Sequence, residues 1–396
     1  MLRSPGRTEV RAALVGVLVA RTALNGGLRV VYPFLPEIAR GLGVSLAAVA
    51  GLVALRSLVG LGAPLAARAA ETLGRRTLML GALVVAVVGC VVTGSAPSLA
   101  VAGAGFLLVG AAKPAFDVPM QGWFGARVPF ARRGRVLGAT ELSWALSLLV
   151  VVPVSGLLIA ATSWRAPFFL VAAMTLVGAA VLWSLMAPDR PAMPQRRPLR
   201  LDARLVTMLA VVLLFSLAAE LLFVVYGAWL EDDFGLSVAA IGIFTMVVAG
   251  AELAGEGSVS AFADRLGLRR SILAGLLGSA AAYACLGLVG SALGGAVIAV
   301  VAWFVAFEVT IVSTIPFVSE LAAESRERLL SLMVAVIALG RAGGAVLAPA
   351  VYAVDGIRTS GFAAAACVLL AAALLLRVPS PPGTRVSSRA PGRPGR

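Results

Sequence analysis

Along this chain apolar residues come in blocks of about twenty, and short polar clusters separate each block from the next. Twelve blocks can be placed, at about 12–35, 46–67, 77–95, 98–120, 136–160, 166–186, 205–229, 238–261, 271–289, 293–317, 329–351 and 359–377. A helix of that length crosses the hydrocarbon of a bilayer, and a helix satisfies its own backbone there without water. The pattern predicts an all-α membrane protein of twelve transmembrane helices joined by short turns. The longest connection runs from Pro188 to Arg204, with four prolines and five arginines, and reads as an extended hydrophilic linker. From Pro379 onward the chain is rich in Pro, Gly, Ser and Arg, the composition of a disordered basic tail.

One polar cluster occurs twice. Ala67-Arg-Ala-Ala-Glu-Thr-Leu-Gly-Arg-Arg76 lies between the second and third blocks, and Ser260-Ala-Phe-Ala-Asp-Arg-Leu-Gly-Leu-Arg-Arg270 between the eighth and ninth. Glu71 aligns with Asp264, Gly74 with Gly267 and Arg76 with Arg269, always 193 residues apart. An offset of half the chain predicts two homologous halves. The expected organisation is a six-helix bundle over 1–187, a linker over 188–204, a second bundle over 205–378 and a tail over 379–396.

Composition agrees with membrane residence. The 396 residues are 60% hydrophobic, with a mean hydropathy of +0.99 and only 13% charged residues, too few to cover a water-facing surface. The net charge of +14 follows topology. With both termini cytoplasmic, the inner loops and tails hold about 25 arginines and the outer loops only Arg40, Arg165 and Arg358. The expected location is the plasma membrane (the inner membrane in a two-membrane cell), with the basic surplus facing anionic lipid and no nucleic-acid partner. No cleavable signal peptide is expected, since no small-residue cleavage site follows the first block. The three cysteines lie inside apolar blocks and read as small buried hydrophobes, and the absence of histidine removes the commonest metal ligand. No metal and no cofactor are expected.

Twelve spans, two repeats, a central linker and the paired charged turn together resemble the major facilitator superfamily. The turn is similar to that family's loop between spans two and three, with Gly74-Arg75-Arg76 intact and Ala67 and Glu71 in place of the usual Gly and Asp. Val31-Tyr-Pro-Phe-Leu-Pro36 and Arg132-Arg-Gly-Arg-Val-Leu-Gly138 resemble the family's end of span one and entry to span five. Within the family the chain is loosely similar to drug–proton antiporters. It departs from them at Phe106, where they carry an arginine, and at Val152-Pro153-Val154-Ser155-Gly156, where their Gly-Pro pair is reduced. The resemblance implies that spans one, four, seven and ten line a central cavity.

Eleven ionisable residues fall inside the blocks: Arg21, Arg29, Arg56, Lys113, Asp117, Glu141, Glu220, Glu252, Glu256, Glu308 and Arg341. Facing lipid, they would cost on the order of 30 kcal/mol on insertion scales, so most must face protein, water or one another. Lys113 is the only lysine in the chain, and Asp117 follows it by one helical turn. Glu308 lies 195 residues after Lys113, close to its repeat equivalent. Arg21, Asn25 and Arg29 share one face of the first span. With the family's cavity in mind, Arg21, Asn25, Arg29, Lys113, Asp117, Glu141, Glu220 and Glu308 are the candidate substrate and proton pathway. Asp117, Glu220 and Glu308 are the candidate proton carriers among them. Arg56, Glu252, Glu256 and Arg341 are candidate charges between the halves. Glu71, Arg75, Arg76, Asp264, Arg265 and Arg269 are candidate gating residues at the charged turns. Trp123 and Tyr226 read as interfacial anchors.

The expected function is secondary active transport: proton-coupled export of a small organic solute by alternating access. The alternatives are proton-coupled uptake of a small metabolite, an anionic one included, and a non-transporting sensor on the same fold. An enzyme is not expected, because there is no histidine, no nucleophile elbow and no nucleotide-binding Gly-rich loop with lysine. The expected partners are a small-molecule substrate, protons and the lipid bilayer; oligomeric state is not legible.

Overall fold

The computed structural model describes residues 7–187, 201–290, 292–321 and 326–378. The linker up to residue 200 and the tail from Pro379 lie outside the described residues, as do the side chains of 258–265. Among the described residues all regular structure is helical. The first half contains α1 (Arg7–Arg29), α2 (Leu35–Leu42), α3 (Leu46–Leu58), α4 (Ala63–Leu73) and α5 (Arg75–Gly94). It continues through α6 (Leu99–Arg127), α7 (Phe130–Leu146), α8 (Val152–Ala161) and α9 (Ala166–Leu185). The second half contains α10 (Ala203–Phe223), α11 (Tyr226–Phe234), α12 (Val238–Leu266), α13 (Leu268–Leu286), α14 (Leu293–Leu321) and α15 (Arg326–Leu375).

Local chemistry sets the boundaries. Ser45, Ser98 and Asp202 accept hydrogen bonds from backbone amides three residues on and so cap the starts of α3, α6 and α10. A tight turn over Val59–Gly62 joins α3 to α4 as one kinked span. A wide π-type turn over Ser147–Val151 joins α7 to α8. Pro153 explains it, since proline has no N–H to give the Leu149 carbonyl one turn back. The expected eleventh and twelfth spans form one long run, α15, broken at Asp355 and at Gly356, whose φ is 57°.

The two charged turns share one backbone shape. Gly74 has φ 83° and ψ 146°, and Gly267 has φ 79° and ψ 152°. A side chain is disfavoured at positive φ, so glycine is required at both. Each turn is also tied to its sixth span in the same way. Arg76 donates from Nη2 to the Trp183 carbonyl at 2.5 Å, and Arg269 from Nη2 to the Leu376 carbonyl at 2.8 Å. Both pairs are again 193 residues apart, so the repeat extends to single hydrogen bonds.

Helices α1, α5, α6 and α9 pack with one another, as do α10, α13, α14 and α15, and the sets meet where α3 lies on α15 and α8 on α12. At the second contact Gly242 comes so near Gly156 that an added Cβ would sit 3.1 Å from its Cα. Large apolar side chains such as Leu65, Leu157, Ile298 and Val354 point outward, where acyl chains solvate them. Two expectations are corrected. Trp123 is wholly buried against Phe124 and Tyr226 is 7% exposed, so neither anchors at an interface. Among the cysteines Cys90 is buried but Cys285 is exposed, since lipid is as apolar a neighbour for a thiol as a protein core.

Candidate functional site

Between the two sets of helices lies a cavity of about 1020 Å³. At one end it extends to Glu71, Arg75, Gly125 and Ala126, on the face that carries the charged turns. Toward the other end it stops at Tyr32 and Tyr226. Beyond that point the Gly156–Gly242 contact closes the halves. Arg40 adds to the closure by bonding Glu231 across the halves at 2.8 Å and Glu37 within its own at 2.9 Å. The sequence-predicted charged and polar residues in and beside the cavity fall into three groups.

The first group is balanced and lies within one half. Arg21, 2% exposed, grips Asp117 with Nε at 2.9 Å and Nη2 at 3.3 Å, and reaches Glu141 at 3.2 Å. Its remaining donor meets the Thr140 carbonyl at 2.7 Å and Ser143 Oγ at 3.1 Å. Lys113 pairs with the other side of Asp117 at 2.8 Å and donates to Asn25 Oδ1 at 2.6 Å. Asn25 in turn donates to Ser143 Oγ at 3.0 Å. Two cations face two carboxylates, which is how buried charges become tolerable. The Trp144 ring closes the group, with Lys113 Nζ 4.4 Å and the Arg29 guanidinium 4.8 Å from its centre.

The second group crosses between the halves. Tyr32 donates to Glu220 Oε1 at 2.7 Å and accepts from Arg341 Nη2 at 2.7 Å, while Arg341 Nε holds Glu220 Oε2 at 2.9 Å. Glu220 is wholly buried. Arg56, 6% exposed, lies beside this triad and donates to the Leu28 carbonyl at 3.2 Å. Its guanidinium is 5.4 Å from the centre of Tyr32 and 5.8 Å from that of Phe106. No carboxylate among the described residues pairs with it. Phe106 occupies the position where the resembling antiporters carry an arginine, and here a guanidinium arrives from α3 instead.

The third group is acidic. Arg29 bridges the halves to Glu252, 1% exposed, at 2.7 Å. Glu308 on α14 packs its Cβ against Gly255, which sets it beside Glu252 and Glu256 on the facing turn of α12. Glu308 is 8% exposed, lines the cavity and has no cation or hydrogen-bond partner among the described residues. Among those residues no set of three acidic or thiol groups converges well enough to hold a metal ion.

An aromatic ladder joins the second and third groups. Phe223 lies 5.8 Å from Tyr32 and 5.8 Å from Phe307, ring centre to ring centre, and Phe307 precedes Glu308 in α14. Sequence reasoning did not single out this ladder, nor Thr140 and Ser143. Phenylalanines and hydroxyls in an apolar block look the same whether they face a cavity, a neighbour or lipid. At the charged turns, Arg76 and Arg269 are tied to the ends of their own bundles, Glu71 and Arg75 line the cavity mouth, and the side chains of Asp264 and Arg265 lie outside the described residues.

The model of the Major Facilitator Superfamily matches this chain twice, over residues 17–210 and 208–395. The chain belongs to the major facilitator superfamily. As a superfamily member it is a membrane transporter, in a family of transporters and not of enzymes. It is 29% identical over 226 residues to an uncharacterized MFS-type transporter of Bacillus subtilis (strain 168), YceJ, covering 54% of this chain and 56% of the relative. A second such transporter of that organism, YwfA, is 28% identical over 142 residues, 36% of this chain and 34% of the relative. These matches thus span about half of the first relative's length and a third of the second's. Among solved superfamily structures, a bacterial homolog of the human lysosomal transporter Spinster, inward-facing and unoccupied, superposes with a TM-score of 0.74. It is 15% identical, over 94% of this chain and 98% of its own. The human organic anion transporter MFSD10 (TETRAN) gives 0.71 at 16% identity, over 92% and 99%. Likeness at that identity concerns the fold alone.

Proposed function

We propose that this superfamily member is a proton-coupled secondary transporter that exports a small organic solute by alternating access. The observation that carries the reading is Glu308, a carboxyl on the cavity wall with no ion-pair partner among the described residues. It can exchange a proton with cavity water without first breaking an ion pair, as Asp117, Glu220 and Glu252 would have to do. The contacts across the halves, Arg29 to Glu252 and Tyr32 to Glu220 and Arg341, are those that rocking of one half against the other would exchange. The arginine bias supports placing the charged-turn face and both termini in the cytoplasm of a plasma-membrane protein. The cavity is then accessible from the cytoplasm, the side from which an exporter loads.

Proteoliposomes holding a pH-sensitive dye test the reading with a panel of fluorescent organic solutes. Wild-type protein should move protons whenever it moves solute, and Glu308→Gln, at solute concentrations that saturate exchange, should lose the linked proton flux while solute exchange continues. Solute flux that leaves the internal pH unchanged would remove the coupling. A second reading, uptake of an anionic metabolite, is favoured by Arg56, whose charge no described carboxylate balances. Reversing the imposed pH gradient separates the two, since symport accumulates solute on the side that protons enter.

A further inference from the structure

The charges of the cavity do not cancel locally. The group around Arg21 and Lys113 sums to zero. Around Tyr32, Arg341 balances Glu220 and leaves Arg56 over as a positive pole. On the facing wall, Arg29 balances Glu252 and leaves Glu308 and Glu256 as a negative pole. Arg56 and Glu308 are each more than nine-tenths buried, line the same cavity and have no oppositely charged partner among the described residues. Leaving such groups unpaired is costly unless an occupant completes them.

The space between the poles is apolar. From Arg56 the ladder passes through Tyr32 and Phe223 to Phe307, in two ring-to-ring steps of 5.8 Å each, and ends beside Glu308. We propose that the cavity selects zwitterions whose anionic group meets Arg56, whose cationic group meets Glu308, and whose apolar body lies along these rings. This deepens the transport reading of the same cavity and rests on it for its purpose, but binding can be measured without any gradient. A purely anionic solute would leave Glu308 uncompensated, and a purely cationic one would leave Arg56 so. The planar guanidinium of Arg56 suits a carboxylate, phosphate or sulfonate. Glu308 suits an ammonium.

Three probes sharing one biphenyl core test the inference on purified full-length protein in detergent, by calorimetry without a pH gradient. One carries an aminomethyl group at one end and a carboxylate at the other. The second is its methyl ester, a cation only, and the third has methyl in place of aminomethyl, an anion only. Wild-type protein should bind the zwitterion at least about tenfold more tightly than either other probe, the scale of one charge-assisted contact. Glu308→Gln should lower the zwitterion to the affinity of the anion while leaving the anion unchanged. Arg56→Gln should lower it to that of the cation. Equal binding of zwitterion and ester, equal binding of zwitterion and anion, or binding of none would each overturn the proposal. So would a folded variant that keeps the full preference. Glu308→Asp and Arg56→Lys, which keep the charges, should retain part of the preference and stand in where a glutamine variant does not fold. Failure of proton coupling in liposomes would leave this result untouched, so the two readings fall separately.

Discussion

Arg76 and Arg269 show how much one side chain can fix in a hydrocarbon setting. Each donates to a carbonyl at the end of the last helix of its bundle, where backbone acceptors have no partner within the helix. Arg76 also lies 4.5 Å from the centre of the Trp183 ring. Arg76→Ala and Arg269→Ala should each cost on the order of 1 kcal/mol, seen as a lower melting temperature in detergent, with solute binding unchanged. A variant that melts normally but fails to transport would instead support a gating role for that arginine. Asp202 carries a pH signature at the start of α10. The Leu205 amide bond, and then Arg204, hold its carboxyl below the usual carboxylate value. Its capping contribution is therefore present at neutral pH and fades as pH falls below about 4, through the lowered folded-state value. Asp202→Asn should keep the cap and lose that part of the pH dependence of unfolding, as read by circular dichroism.

At the scale of elements, one buried ion pair and one close glycine approach between the halves each carry a prediction. Arg29→Ala would strand Glu252, which is 1% exposed, and should destabilise the protein by about 3–5 kcal/mol. Arg29→Ala with Glu252→Ala should recover most of the loss, and additive losses in thermal unfolding would show that the pair is not coupled. Gly242→Leu places a side chain where Gly156 lies, so α8 and α12 can no longer close. It should shift the protein toward the state open on the opposite face, measured as a longer spin-label distance between those helices. The existence of the spans was legible because runs of twenty apolar residues have no other use. Of their breaks, the one at Gly356 fell between two predicted blocks, whereas the one at Ser147–Val151 beside Pro153 lay inside a single predicted block. Partners were the hidden part. The sequence places Arg29 and Glu252 each on an apolar helix, but 223 residues separate them and only packing brings them to 2.7 Å.

At the scale of the whole molecule, the cavity reaches the charged-turn face and is sealed at the other. In a background with the native cysteines replaced by alanine, Ala126→Cys should react with a membrane-impermeant maleimide from the turn side. Ser155→Cys, at a wholly buried position near the seal, should stay protected. Labelling of Ala126→Cys from outside intact cells would reverse the proposed orientation. The twofold repeat was legible from one decapeptide because a positive-φ glycine and a capping arginine admit few substitutes. The site was half legible: the charged residues were named, but which of them cancel and which remain over was decided by side-chain geometry.

Trp144 has a consequence of its own. It is the only tryptophan among the described residues that line the cavity, and three cations crowd its ring, with Arg21 at 6.0 Å behind Lys113 and Arg29. Indole emission shifts colour when neighbouring charge is rearranged, so this side chain is a built-in optical gauge. A single-tryptophan protein retaining Trp144 would report occupancy and rocking in real time, with no dye attached.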